Sequence, residues 1–136
     1  MIHDHTRKFF IEGNCNCAES TLLAASEALG FGLTQEDAKL VSAFGGGMGC
    51  GSTCGALAGA MAALGKCCVG QNAHSTKGFR EQCAALKANF ERRCGSTFCS
   101  DIRPQYAQNP DRCLAAVNAA ADALEDVLRD WSRRPH

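Results

Sequence analysis

"GGGMGCGSTCGALAGAMAALG", residues 45–65, places six glycines and two cysteines in its first eleven positions and follows them with a run of small apolar residues. Such a stretch can be a phosphate-cradling loop, a membrane segment, or a backbone that presents thiols. A P-loop needs a lysine directly after its last glycine, whereas Gly51 is followed by Ser52; a dinucleotide fingerprint needs a preceding strand, and here the pattern before the glycines is helical. No charged side chain occurs from Leu40 to Gly65, but the strongly apolar part, Ala56 to Leu64, is far short of the roughly 20 residues that cross a bilayer. What remains is a glycine-rich approach to a helix of alanine, leucine and methionine, residues that favour helix. Gly55 and Gly59 lie one turn apart on a face that another backbone can approach closely.

Working outward, nearly every segment carries helical periodicity. Phe9 and Phe10 close a charged N-terminal segment ending at Gly13, and His3 and His5 lie in what reads as a frayed terminus. Asn16 and Glu19 form a capping-box pattern, Leu22, Leu23, Ser26 and Leu29 follow at helical spacing, and Gly30 supplies a stop. Thr34 and Asp37 predict a short capped helix carrying Leu40, Val41 and Phe44. Lys77 to Cys94 places Phe79, Cys83, Leu86, Phe90 and Cys94 on one stripe before Gly95. Pro104 and Pro110 bracket an irregular stretch, after which Cys113, Val117, Ala120, Leu124, Val127 and Trp131 mark the last helix. Alternating β-branched runs and Asn-Gly turns are missing, so the predicted fold is all-α: a compact bundle of five or six helices, forming a single domain over residues 1–136, with a glycine-rich loop before the central helix.

Lys plus Arg and Asp plus Glu each number 14, with no block of like charge. This gives no nucleic-acid footprint. The N-terminal charges precede no apolar signal region, so the expected compartment is the cytoplasm, with no membrane span. The outlying feature is ten cysteines. In a reducing compartment such a set binds metal or does redox chemistry more often than it builds disulfides.

Their positions say more than their number. Asn16 as cap puts Cys17 at the first position of a helix. Ser52 or Thr53 as cap puts Cys54 in the first turn of the next, and Asn109-Pro110 as a start puts Cys113 at the fourth position of the last. Helix N-termini carry unpaired N–H groups and partial positive charge, which stabilise a thiolate and lower its pKa. Cys99, in "CGSTFCSD" with Ser96 able to cap a turn around it, is the best fourth member of such a group.

The segments "NCAES", "FGGGMG", "CGALAGA", "GSTFC" and Cys113, in this order, resemble the family of redox-active proteins named for its C, GCAxxG, C, C cysteine signature. The resemblance runs from about Phe9 to Leu128, with the central motif as Cys54-Gly55-Ala56-Leu57-Ala58-Gly59. It implies that the four signature cysteines are Cys17, Cys54, Cys99 and Cys113. The family is similar to a domain of the split-Soret cytochromes, in which a cysteine pocket is associated with an iron–sulfur centre; this implies an iron–sulfur cofactor here. No haem is implied, because the chain has no C-x-x-C-H.

The expected function is therefore redox or electron transfer through an iron–sulfur cluster of unspecified type held by Cys17, Cys54, Cys99 and Cys113. Cys50 and Cys15 are candidate additional ligands. Gly47, Gly49, Gly51 and Gly55 are candidates for close backbone approach to the cofactor. Cys67 and Cys68 read as exposed bystanders, Cys83 as core, and Cys94, beside Gly95, as more open. Two other readings are a copper- or zinc-binding storage protein and a thiol–disulfide redox protein, the latter disfavoured by the lack of a C-x-x-C pair. A redox partner protein is expected without its identity being legible, and an apolar helix face would favour a homodimer.

Overall fold

The computed structural model describes residues 1–135, and among these the only extended pairing is one antiparallel bridge, Thr53 with Phe98. The all-α class holds. The helix count does not: seven continuous helical stretches span 2–12, 17–29, 35–51, 55–68, 79–94, 99–106 and 114–132, rather than five or six. The additional one is the short helical segment 99–106 before the last helix. We number the α-helical elements α1 (Cys17–Leu29), α2 (Gln35–Ala38), α3 (Gly55–Cys68), α4 (Phe79–Cys94), α5 (Cys99–Ile102) and α6 (Leu114–Ser132).

The caps of α1 and α2 form as their sequences predict. The Asn16 side chain accepts from the Glu19 N–H while the Glu19 carboxylate accepts from the Asn16 N–H, and Thr34 and Asp37 do the same for α2. Gly30 and Gly95 end α1 and α4 in the left-handed conformation.

Helix α3 runs through the centre, packed most extensively on α1. Gly59 permits this: a Cβ there would collide with the Ala18 carbonyl of α1. On its other sides α3 meets α4 and α6, and Leu64, Leu86, Phe90, Val117 and Leu124 are fully buried where these helices come together. Burial of such side chains contributes about 1.5–3 kcal/mol each before conformational entropy is set against it. Leu29 and Leu40, placed at apolar positions by periodicity, are instead exposed, Leu40 by 85%.

The N-terminus is not frayed. Ile2 is buried, the Ile2 N–H donates to the Glu125 carboxylate, His3 Nδ1 lies 2.6 Å from Asp122 Oδ1, and Thr6 Oγ1 donates to Asn118 Oδ1. These contacts, all to α6, were invisible to local periodicity because they join residues more than a hundred positions apart. Among the described residues no helix is long and apolar enough to cross a membrane.

Candidate functional site

Four cysteines from distant segments stand at four helix starts on one side of the molecule. Cys17 and Cys99 are the first residues of α1 and α5; Cys54 and Cys113 are the caps of α3 and α6. Two of these positions correct the expected starts. Neither Ser52 nor Thr53 caps α3, because residues 52–54 are extended to pair with 97–99: the Cys54 N–H donates to Thr97 O and the Cys99 N–H to Ser52 O, both at 2.7 Å. This two-bond clamp holds Cys54 against Cys99. Asn109 caps only a turn through its side chain, accepting from the Asp111 N–H, and α6 begins at Leu114, so Cys113 is the cap rather than the fourth residue.

The fourth side is built by the glycine loop. Asn16 Nδ2 donates to Ser42 O and Ser42 Oγ donates to Glu19, which fixes the start of α1 against the segment that enters the loop. Gly47 has φ +66, and a Cβ on it would fall 2.6 Å from the Cys99 Cβ; a Cβ on Gly55 would fall 2.5 Å from Cys17 Sγ. Glycine is required at both places for sulfur and backbone to meet. Gly49 and Gly51 also have positive φ, and with Cys50 they line an adjoining groove rather than the thiol cleft itself.

The cleft, about 390 Å³, is lined by Cys17, Cys99 and Cys113 together with Arg103, Tyr106 and Arg112. Cys54 is buried beside this lining rather than part of it, 5% exposed and close enough to feel the charges of Cys17 and Cys99. At ~30 Å³ per water the cleft has room for roughly a dozen waters, space that an inorganic group of several atoms can occupy. The sequence did not single out Arg103, Tyr106 or Arg112. They lie in the irregular stretch or at the strained residue before Cys113 (Arg112 φ +54), where periodicity has nothing to say; the only cue was adjacency to Pro104 and to Cys113.

Helix-end N–H groups do reach sulfur: those of Gly46 and Ala18 favour ionised Cys17, and those of Leu57 and Ala56 favour ionised Cys54. Burial nevertheless wins. It raises the thiol pKa of Cys17 and Cys113, with neighbouring cysteines adding to the rise at Cys113, and pushes Cys54 up to about 12. The expected lowering by helix ends is thus reversed, and these thiols stay protonated at neutral pH unless a cation compensates them.

The other cysteines are elsewhere. Cys15 is turned away and packs with Leu23, Ala38 and Phe9. Cys50 is exposed in the adjoining groove, which it shares with Cys99, and its Sγ lies 3.6 Å from Gly47 O. Cys67 is exposed but Cys68, the last residue of α3, is buried; Cys94 is buried rather than open and Cys83 only partly so. Among the described residues no three His, Cys, Asp or Glu side chains are gathered closely enough to hold a single metal ion.

Fold and cleft define a small all-helical, cysteine-rich protein with thiols presented at helix starts. Residues 15–127 match the family described as "Putative redox-active protein (C_GCAxxG_C_C)", and the chain belongs to that family. No curated protein and no solved structure is significantly similar to it.

Proposed function

We propose that this protein is a redox module that carries an iron–sulfur cluster in the cleft, with Cys17, Cys54, Cys99 and Cys113 as ligands. The observation that carries the reading is the convergence of four thiols, from four separate segments, at helix starts: Cys17, Cys99 and Cys113 line one cleft and Cys54 lies buried beside Cys17 and Cys99. The donor set suits the group: soft thiolates are what iron–sulfur centres take. Gly47 and Gly55 let the backbone pack directly against Cys99 and Cys17, where a Cβ would clash.

Raised thiol pKa values at Cys17, Cys54 and Cys113 disfavour a free dithiol catalyst, whose attacking group must be a thiolate. When bound, such a cluster supplies reversible one-electron transfer, at a potential set by charge, burial and hydrogen bonds to sulfur. This chain's part is to hold the thiols: the 52–54 and 97–99 clamp fixes Cys54 and Cys99, the Asn16 capping box fixes Cys17, and the N–H groups of Gly46, Ala18, Ala56 and Leu57 face sulfur.

Cys15 and Cys50 fall outside this ligand set. Gly49 and Gly51 serve the turn of the loop that carries Cys50. Anaerobic purification with iron and acid-labile sulfide analysis tests the proposal: both elements present with a visible charge-transfer band support it, and a colourless, folded protein lacking iron after anaerobic reconstitution overturns it.

A further inference from the structure

The cleft is electrically one-sided. Its lining includes two cations, Arg103 and Arg112, and no carboxylate, and the adjoining groove repeats the pattern with Arg103 alone. Arg7, Arg93, Arg129 and Arg134 pair with aspartates, whereas Arg80, Arg92 and Arg133, outside the cleft, have no carboxylate partner among the described residues. Neither cleft arginine has a carboxylate partner among the described residues, in a chain whose formal net charge is zero.

Arg112 is also held in place. Its Nη2 donates to Phe10 O at 2.8 Å and its guanidinium lies 4.6 Å from the centroid of the Phe10 ring. The contact joins the N-terminal segment to the residue before Cys113, and it occurs at a backbone φ of +54, which a side chain adopts only when its surroundings impose it. A guanidinium is never deprotonated in a protein and, stacked and hydrogen-bonded, loses little freedom when it faces an anion. At the rim, solvent screens such charges, which is why a fixed geometry matters more than proximity alone.

We infer that Arg103 and Arg112 are the charge partners of an anionic group in the cleft, and that they act as positioning residues that raise its reduction potential. The inference rests on the cluster reading: four thiolates leave an iron–sulfur centre net negative, reduction adds one more electron, and fixed cations beside it favour the reduced form. Tyr106, on the same wall, presents no charge and is not needed for this effect.

The test uses full-length wild type, Arg103→Gln, Arg112→Gln and Arg112→Lys, purified anaerobically and titrated by EPR-monitored potentiometry, with iron measured on each. The expected result is iron content equal to wild type and a midpoint potential shifted downward in both glutamine variants, with the lysine variant recovering most of the shift. Unchanged or raised potentials in both iron-loaded glutamine variants overturn the inference and leave the cluster reading standing. Loss of iron from both Arg112 variants assigns that residue to structure and overturns its charge role, with Arg103→Gln then deciding for Arg103. Wild type without iron overturns the cluster reading itself.

Discussion

The two ends of α3 carry the same chemistry in different settings. At its start Cys54 is joined by Cys17, Cys99 and Cys113, two unpaired arginines and a loop in which glycine is sterically required. At its end Cys67 and Cys68 are adjacent, Cys83 is near enough for its charge to be felt at Cys68, and the neighbouring cavity of about 810 Å³ has Cys68 as its one lining thiol. Burial raises thiol pKa at both ends, up to about 12 at Cys54 and about 11 at Cys68. Thiol number and desolvation therefore do not distinguish the ends. The difference is that four chain segments converge on one end, and at the other the cysteines come from one helix terminus and its neighbour.

The largest effect that can break this comparison is loss of the proposed cluster. Cys113→Ser should abolish iron binding, while Cys67→Ser, on an exposed residue at the far end of α3, should leave iron per chain unchanged; equal iron in the two variants would erase the distinction. Cys15→Ser and Cys50→Ser belong with Cys67→Ser in this test.

A smaller effect lies in two glycines of the same helix. Gly55→Ala drives a methyl group into Cys17 Sγ and should lower stability by about 1–3 kcal/mol, the usual cost of overpacking, and weaken cluster retention. Gly65→Ala meets nothing within 4 Å and should stabilise by about 0.5–1 kcal/mol through helix propensity. Urea unfolding of the two variants, each against wild type, reads this difference, and shifts of the same sign would contradict it.

The smallest effect concerns neither end of α3 but the docked N-terminus. The hydrogen bond to Asp122 raises the His3 pKa above its ordinary value of 6.5, against a smaller opposing contribution from burial. A raised folded-state pKa means stabilisation that is complete below 6.5 and lost as pH climbs through the folded value. Melting temperatures of wild type and His3→Asn should therefore differ most at pH 5.5–6 and draw together toward pH 9. A gap constant across that range would remove the ionic part of the contact.

Much of this was legible locally. Asn16 and Glu19, Thr34 and Asp37, Gly30 and Gly95 mark helix ends with groups that act within one turn, and the stripe through Val117, Leu124 and Val127 follows from period alone. The starts of α3 and α6 were misplaced because a non-local force set them: pairing of 52–54 with 97–99 takes the backbone that a Ser52 or Thr53 cap would have used, and Asn109 spends its side chain on a turn. The same limit hid the docking of Ile2, His3 and Thr6 on α6, and the two arginines of the cleft. Local capping patterns put Cys17, Cys54 and Cys113 near helix starts, the last two through caps that do not form, and Cys99 in a short turn; the cysteine signature selected the same four. Sequence misjudged their acidity, since burial depends on how the segments pack.

The claim at the centre is that the start of α3, and not its end, is the metal site. Parallel anaerobic purification of wild type, Cys54→Ser and Cys68→Ser, with iron and labile sulfide measured per folded chain, addresses it directly. The account predicts both elements in wild type and Cys68→Ser and neither in Cys54→Ser. Iron and sulfide retained in Cys54→Ser but lost from Cys68→Ser would contradict it.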